Sequence, residues 1–242
     1  MTFGRWAALE EDALEQGIRR RYRDLLRRVE EACLRSGRHP REVRVVAVSK
    51  NRTLREIEAA WRAGMREFGE NRAQELAEKL GGAPPAISWH FIGHLQTNKV
   101  KIATGKVALI HSVDSLRLAE AIGREASRQG IVQEVLLQLN ISEEPTKHGF
   151  RPEELEEALL NMKDIRGIRV RGLMTMAALT GDEGEIRRCF RTLREHRDEA
   201  VRRFPGLSLD LLSMGMSNDF EIAVEEGANL LRIGTAIFQE GA

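Results

Sequence analysis

Cysteine and tyrosine are scarce in this chain of 242 residues, which contains two cysteines and a single tyrosine. Cys33 and Cys189 lie far apart and fit no disulfide framework, redox motif or metal-ligand spacing, which is typical of a reducing compartment. No apolar run approaches the roughly 18 residues that span a bilayer, and the acidic N-terminal residues lack the apolar segment of a signal peptide. We therefore expect a cytoplasmic protein with no membrane partner.

An excess of charge of one sign is also missing, because 38 basic residues face 37 acidic residues and the formal net charge is +1. The basic run at residues 19–21 has acidic neighbours and is typical of a solvated helix face. We therefore expect no nucleic-acid partner. The length suits one large α/β barrel or two small domains.

The first forty residues predict an N-terminal helical arm. Apolar side chains recur every three or four positions from Leu14 to Cys33, and Gly37 and Pro40 close the pattern. Since the other face is charged, we expect residues 1–40 to pack outside the domain that follows. Residues 1–12 carry no clear pattern, and a frayed helical arm is one interpretation of them.

Eight apolar segments then alternate with amphipathic helices, with short connections between them. The predicted strands cover residues 43–50, 66–70, 87–92, 107–113, 133–140, 168–175, 207–213 and 230–234. This alternation predicts a parallel sheet with right-handed crossovers. We predict a single (β/α)8 barrel domain over residues 1–242, with an open doubly wound sheet as the alternative.

The first predicted strand, VRVVAVSK, ends on Lys50. A lysine at the rim of a buried strand is partly desolvated, which favours the neutral, nucleophilic amine that forms imines with carbonyl compounds. Pyridoxal phosphate is one such compound. The alternative is a lysine that only points to water.

Polar and small residues collect at the carboxyl ends of the predicted strands, where such barrels build their sites. These positions are Lys50, Asn71, residues 90–93, Asp114, Asn140, Thr175, residues 213–217 and residues 232–235. The last two loops, SMGMSND and RIGT, carry glycines and hydroxyls at the usual phosphate site of the fold, and the first opens a helix. Together they predict a phosphate site.

Lys50 and this phosphate site suit the two ends of pyridoxal phosphate. Arg232 would then lie beside the pyridine nitrogen and keep it unprotonated, because a guanidinium accepts no proton. An ordinary ion pair is the alternative for Arg232. His90 and His94 are four residues apart, but Gly93 breaks the helical geometry that a metal pair needs, so we predict no metal site.

Several motifs in order resemble those of one protein family. They are AVSK, FGENRAQE (68–75), WHFIGHLQTNK (89–99), LNIS (139–142), KHG (147–149), RGLM (171–174), SMGMSND and RIGTAIF. They closely resemble the pyridoxal phosphate homeostasis protein family over about residues 18–238. The resemblance implies a barrel similar to the N-terminal domain of bacterial alanine racemase.

The resemblance also implies pyridoxal phosphate held as an internal aldimine on Lys50. By the same match Asn71 faces the cofactor, Arg232 faces the ring nitrogen, and the phosphate is bound by Ser213, Ser217, Gly234 and Thr235. The family is regarded as carriers or regulators of free pyridoxal phosphate, with effects on amino-acid and keto-acid pools. Asn51–Arg52 and Arg72 depart from the family pattern of Thr-Lys and Tyr, which puts lysine-to-lysine handover in doubt at this loop.

Two other functions compete with a carrier. Alanine racemase takes its second base, a tyrosine, from a C-terminal β-domain, which we expect to be absent here; the one tyrosine is Tyr22 on the outer helix. A histidine, cysteine or lysine is the alternative second base, and His90 is the best candidate among them. A lysine-dependent aldolase or phosphosugar isomerase would share barrel and phosphate site. We expect a monomer without robust catalysis that contacts apoenzymes transiently.

Overall fold

The computed structural model describes residues 3–141 and 148–239. Ser142 and Lys147, which belong to two of the motifs above, lie outside the described residues. No helix within the described ranges is both long and apolar enough to cross a membrane.

Eight parallel strands close into a barrel in sequence order, which confirms the predicted (β/α)8 fold and excludes the open sheet. The strands are β1 (Arg44–Val48), β2 (Glu67–Glu70), β3 (Ser88–Phe91), β4 (Leu109–Val113), β5 (Gln133–Gln138), β6 (Ile168–Met174), β7 (Leu211–Ser213) and β8 (Leu230–Ile233). The barrel closes where β8 pairs with β1, with Arg232 opposite Val46.

Helices cover the outside of the strands. They are α1 (Phe3–Arg35), α2 (Leu54–Arg62), α3 (Ala73–Leu80), α4 (Val100–Ala103), α5 (Leu116–Arg128), α6 (Leu155–Lys163), α7 (Glu183–Arg203), α8 (Phe220–Glu225) and α9 (Thr235–Phe238). Short 3-10 turns occupy Pro40–Glu42, Thr97–Lys99 and Pro152–Glu154. A side-chain cap marks the beginning of α2, where Thr53 and Glu56 form a capping box.

The N-terminal helix α1 is longer than its apolar periodicity predicts, because it begins at Phe3. Ile18, Leu25 and Val29 are buried against the domain, and α1 packs on α2, α8 and α9. The Arg28 guanidinium forms a two-point ion pair with Glu221 of α8, with N–O distances of 2.8 and 3.1 Å. Charged and apolar contacts together therefore hold the arm outside the barrel.

The core has two parts. One lies between strands and helices, and the other fills the barrel interior with Val46, Leu109, Leu136, Met174 and Leu230. Buried polar side chains share that interior, and the strands carry them up to the carboxyl rim.

The strand predicted over residues 207–213 is shorter in the structure. Ladder pairing begins only at Leu211, opposite Gly172 of β6, so the preceding residues form a loop after Pro205 and Gly206. The apolar composition of residues 207–213 predicted a strand longer than the part that pairs with β6.

Candidate functional site

A cavity of about 360 Å³ opens at the carboxyl ends of the strands. Six of the seven residues predicted to bind the cofactor line it: Lys50, Asn71, Ser217, Arg232, Gly234 and Thr235. The other lining residues are Val48, Asn51, Arg52, Ile92, Met176, Ala177, Ala178, Leu179, Met216, Asn218, Asp219 and Gln239. The barrel therefore brings together residues that lie far apart in the sequence, from Lys50 to Thr235.

Lys50 is more exposed than the sequence predicts. Strand β1 ends at Val48, and Ser49 is the last buried residue, so Lys50 lies in a turn with its side chain in solvent. Asn51 follows with φ +57°, a left-handed conformation that asparagine tolerates better than most residues. The expected half-buried, desolvated amine is therefore wrong for this structure, because the chain turns before Lys50 rather than after it.

A buried charge network holds this turn. Lys79 Nζ donates to the Ser49 carbonyl at 2.7 Å, to Glu70 Oε1 at 2.7 Å and to Glu75 Oε1 at 2.6 Å. Ser49 Oγ donates to Glu70 Oε1 at 2.6 Å, and the Asn51 amide donates to Glu75 Oε1. The two neighbours of Lys50, Ser49 and Asn51, are thus hydrogen-bonded to α3 and β2. These bonds hold the backbone of the turn that carries Lys50 in place.

Sequence reasoning missed this network, although Glu70 belongs to the FGEN motif. Glu70 is fully buried, and burial raises the pKa of its carboxyl while the bonds from Lys79 and Ser49 oppose that rise. The available signals were a glutamate at the carboxyl end of a strand and a lysine on the apolar face of a helix. The spacing of these two residues in the sequence does not predict that they form an ion pair.

Asn71 lies directly after β2, with its side chain at the cavity wall. Its Oδ1 is buried and has no hydrogen-bond partner among the described residues. Gly93 makes room for it, since a Cβ at Gly93 would lie 2.1 Å from the Asn71 carbonyl oxygen. An unsatisfied buried acceptor facing a cavity is a group that a ligand donor would complete.

The predicted phosphate end lies at the loops after β7 and β8. Ser217 Oγ accepts a hydrogen bond from the Ala236 amide at 3.1 Å, which ties the two loops together. Gly234 and Thr235 begin α9, whose first amides have no partner within the helix. Gly215 has φ +94°, and a Cβ there would lie 2.6 Å from Ala223 Cβ, so this loop needs glycine.

Arg232 is buried at the cavity wall with its guanidinium bonded to the barrel. Its Nη1 donates to Ser213 Oγ at 2.6 Å and its Nη2 donates to the Thr175 carbonyl at 2.9 Å. Burial lowers the pKa of Arg232 to about 10, with Asp219 opposing the shift. No carboxylate lies within ion-pair distance of Arg232 in the described residues, so the alternative of an ordinary ion pair does not hold.

Ser213 is the one predicted ligand that does not line the cavity. It is fully buried, and its hydroxyl contacts Arg232 and His111 instead. Side chains along β7 alternate between the outside and the interior of the barrel, and this alternation places Ser213 in the interior.

Four of the six histidines form two separate pairs. His90 Nδ1 lies 2.9 Å from His111 Nε2 inside the barrel, whereas His94 Nδ1 lies 2.9 Å from Asp114 Oδ2 at the rim. His94 stacks on His148, with ring centroids 4.0 Å apart and planes 14° apart. These two histidines and Asp114 are the one cluster of metal-ligand type in the described chain. A ligated ion lies in the plane of each imidazole, so two stacked rings cannot share one ion without turning.

Charge at the cavity is mainly positive. Three cationic side chains line it, Lys50, Arg52 and Arg232, against one carboxylate, Asp219. Burial raises the pKa of Asp219, whose Oδ1 accepts from the Met216 amide. Such a balance favours an anionic ligand.

The candidates for a second base are not in this cavity. Tyr22 lies on α1, where burial and then Glu67, the first residue of β2, raise its pKa. It is therefore near the amino ends of the strands. His90 is buried inside the barrel. Among the described lining residues, Lys50 and Asp219 are the ionisable side chains other than arginine.

Barrel and site together define a protein of the alanine racemase N-terminal type, and a family model described as alanine racemase, N-terminal domain, matches residues 26–240. Over 217 residues the chain is 42% identical to the pyridoxal phosphate homeostasis protein of Aquifex aeolicus, covering 89% of this chain and 95% of that one. It is 36% identical over 220 residues to the Escherichia coli K12 protein of that name, covering 87% and 91%. The chain belongs to the pyridoxal phosphate homeostasis protein family.

Solved structures show the same likeness. PipY of Synechococcus elongatus, solved with pyridoxal phosphate bound, is 35% identical with a TM-score of 0.81, covering 91% of this chain and 99% of that one. An unknown protein from Bifidobacterium adolescentis is 39% identical with a TM-score of 0.89, covering 94% and 96%. An alanine racemase of Clostridium difficile is 16% identical with a TM-score of 0.71, and the match covers 57% of its length. The last likeness is one of fold alone.

Proposed function

We propose that this protein binds pyridoxal phosphate covalently through Lys50 and acts as a carrier and regulator of the cellular cofactor, with effects on amino-acid and keto-acid pools. One observation carries the proposal: a single cavity combines an accessible lysine with serine, glycine and threonine donors and two arginines. The family's name and the PipY complex agree with this ligand.

The residues present fit the two ends of the cofactor. Pyridoxal phosphate supplies an aldehyde that condenses with a lysine amine, and Lys50 is the one lysine among the described lining residues. Ser217, Gly234 and Thr235 hold the phosphate through a hydroxyl and backbone amides. Asn71 Oδ1, the unsatisfied acceptor, takes a donor of the bound molecule.

Arg232 faces the ring nitrogen in this proposal, as a donor only. Its guanidinium keeps its protons near neutral pH even with a pKa of about 10, so it does not transfer one to the ring. An unprotonated ring is a weak electron sink, and that restrains side chemistry on the carried aldehyde.

The site suits a carrier better than a racemase. Racemisation needs a base on each face of the substrate carbon. Among the described residues that line the cavity, Asp219 is the only side chain that could serve as a second base beside Lys50. The Asp219 carboxyl is already an acceptor for the Met216 amide. Lys50 lies in solvent, which allows the cofactor to enter and leave.

Handover occurs directly from Lys50 in our proposal. Arg52, the neighbouring cation, forms an ion pair with Glu56 at 3.1 Å and cannot form an imine. We further propose that the protein works as a cytoplasmic monomer that meets apoenzymes transiently, without a nucleic-acid or membrane partner.

A transfer assay tests the proposal. Protein loaded with pyridoxal phosphate and freed of excess cofactor is mixed with a cofactor-dependent apoenzyme, and the regained activity is followed. We expect the wild type to restore activity. Lys50→Arg, which keeps the charge without imine formation, should carry no cofactor. Racemisation of an amino acid at an ordinary enzymatic turnover would refute the carrier function.

A further inference from the structure

A line of buried polar side chains crosses the barrel interior from the cavity. Arg232 Nη1 lies 2.6 Å from Ser213 Oγ, which lies 2.8 Å from His111 Nδ1. His111 Nε2 lies 2.9 Å from His90 Nδ1. These residues come from β8, β7, β4 and β3, and each is at most 4% exposed. The line thus joins a cavity residue to side chains that do not line the cavity.

The chemistry of the groups gives the line one direction. A guanidinium has donors only, so Ser213 Oγ is the acceptor for Arg232. The Ser213 hydroxyl hydrogen then needs an acceptor, and His111 Nδ1 is its one neighbour of that kind in the described chain. With Nδ1 accepting, a neutral His111 carries its proton on Nε2 and donates it to His90 Nδ1.

The far end of the line meets a carboxylate. His90 then carries its proton on Nε2, which lies 3.6 Å from Glu67 Oε2, and Glu67 is paired with Arg44 at 2.9 Å. That separation exceeds a hydrogen bond, but the negative charge favours an N–H rather than a lone pair pointing towards it. Burial lowers the pKa of His90 to about 3 and that of His111 well below its ordinary value, so both rings are neutral.

The opposite direction leaves more groups unsatisfied. A proton on His111 Nδ1 would donate to Ser213, whose own hydrogen would have no acceptor among the described residues. His90 Nε2 would then present a lone pair to Glu67. The first direction leaves one group unpaired, the His90 Nε2–H, whereas the opposite direction leaves two, the Ser213 hydroxyl hydrogen and the His90 Nε2 lone pair. The first direction is therefore favoured.

We propose that His111 and His90 are positioning residues of the cofactor site. They keep the Ser213 hydroxyl turned away from Arg232, so that the serine oxygen accepts from the guanidinium and holds it in one orientation at the cavity wall. The tautomers follow from this chain alone, whereas their effect on the cofactor rests on the proposed function.

The first test uses the wild-type protein without cofactor. Two-bond ¹H–¹⁵N correlation spectra distinguish the two neutral tautomers of each histidine. We expect both His90 and His111 in the Nε2–H form, unchanged between pH 6 and 8, a range well above the His90 pKa of about 3. In Ser213→Ala, His111 should lose its single tautomer, which a packing role alone would leave intact. An Nδ1–H form of either wild-type ring would overturn the proposal.

The second test measures pyridoxal phosphate affinity in a double-mutant cycle. Ser213→Ala and His111→Phe should each weaken binding about tenfold, and the double variant should be no weaker than either, because each breaks one shared line. Additive losses of about a hundredfold would overturn the proposal. Thr104→Val is the control, since this buried hydroxyl has no partner in the described chain and lies outside the line.

The two tests separate this inference from the proposed function. If the wild type binds no pyridoxal phosphate, the proposed function fails, while the tautomers still decide whether the line exists. If His111→Phe does not fold, the wild-type spectra and Ser213→Ala decide alone.

Discussion

Lys79→Met tests how much the buried network below Lys50 stabilises the fold. The substitution keeps the length of the side chain and removes three hydrogen bonds of 2.6 to 2.7 Å, one of them to the fully buried Glu70. Removing one partner of a buried ion pair costs about 3–5 kcal/mol, because the remaining charge has no partner. We expect that loss at pH 8, measured by urea unfolding.

The loss should shrink at low pH. Burial already raises the pKa of Glu70, and removing the opposing bond from Lys79 raises it further. A raised folded-state pKa means that the folded protein binds the proton more tightly than the unfolded chain, so relative stability is gained as pH falls towards the unfolded pKa. At pH 5 the variant should therefore lie closer to the wild type than at pH 8.

Two further variants complete the experiment. Lys79→Met combined with Glu70→Gln should recover a substantial part of the loss at pH 8, because it removes the unpaired charge. Lys101→Met, on an exposed lysine of α4, should stay within about 0.5 kcal/mol of the wild type. A Lys79→Met loss below about 1 kcal/mol at pH 8, or one independent of pH, would refute this reasoning.

Three more predictions concern single contacts. Gly93→Ala should lower the melting temperature and cofactor affinity, because its Cβ would lie 2.1 Å from the Asn71 carbonyl; Gly81→Ala, with open space around it, should change neither. Ser217→Ala should weaken pyridoxal phosphate binding by about tenfold or more, as for one hydrogen bond to a charged group, while unphosphorylated pyridoxal binds as before in the same titration. Arg28→Ala should lose only about 1 kcal/mol or less in urea unfolding, because its ion pair is 42% and 36% exposed.

The alternation of apolar segments with amphipathic helices was enough to predict a parallel sheet covered by helices. Closure of that sheet into a barrel, rather than an open doubly wound sheet, is what the structure decides. The rim residues followed from topology: once parallel strands close, their carboxyl ends meet, which places Lys50 beside Arg232 and Thr235 in one cavity. The family motifs then indicated a ligand that composition alone could not.

Contacts across the barrel were beyond prediction from spacing. His111 and Ser213 are 102 positions apart, and only closure of the strands joins them. A histidine within the wholly buried β4 was the available signal. The prediction that Lys50 is half-buried was wrong because strand composition does not show where strand pairing stops. The last residue of β1 that pairs with β2 is Val48, opposite Gly69.

The central claim is the covalent bond at Lys50. The measurement is a visible absorption spectrum of the protein with pyridoxal phosphate, followed by borohydride reduction and peptide mass mapping, with Lys50→Arg beside it. We expect an imine band in the wild type, a reduced adduct on Lys50, and neither in the variant. No band, or an adduct equally spread over exposed lysines such as Lys101 and Lys163, would contradict the account.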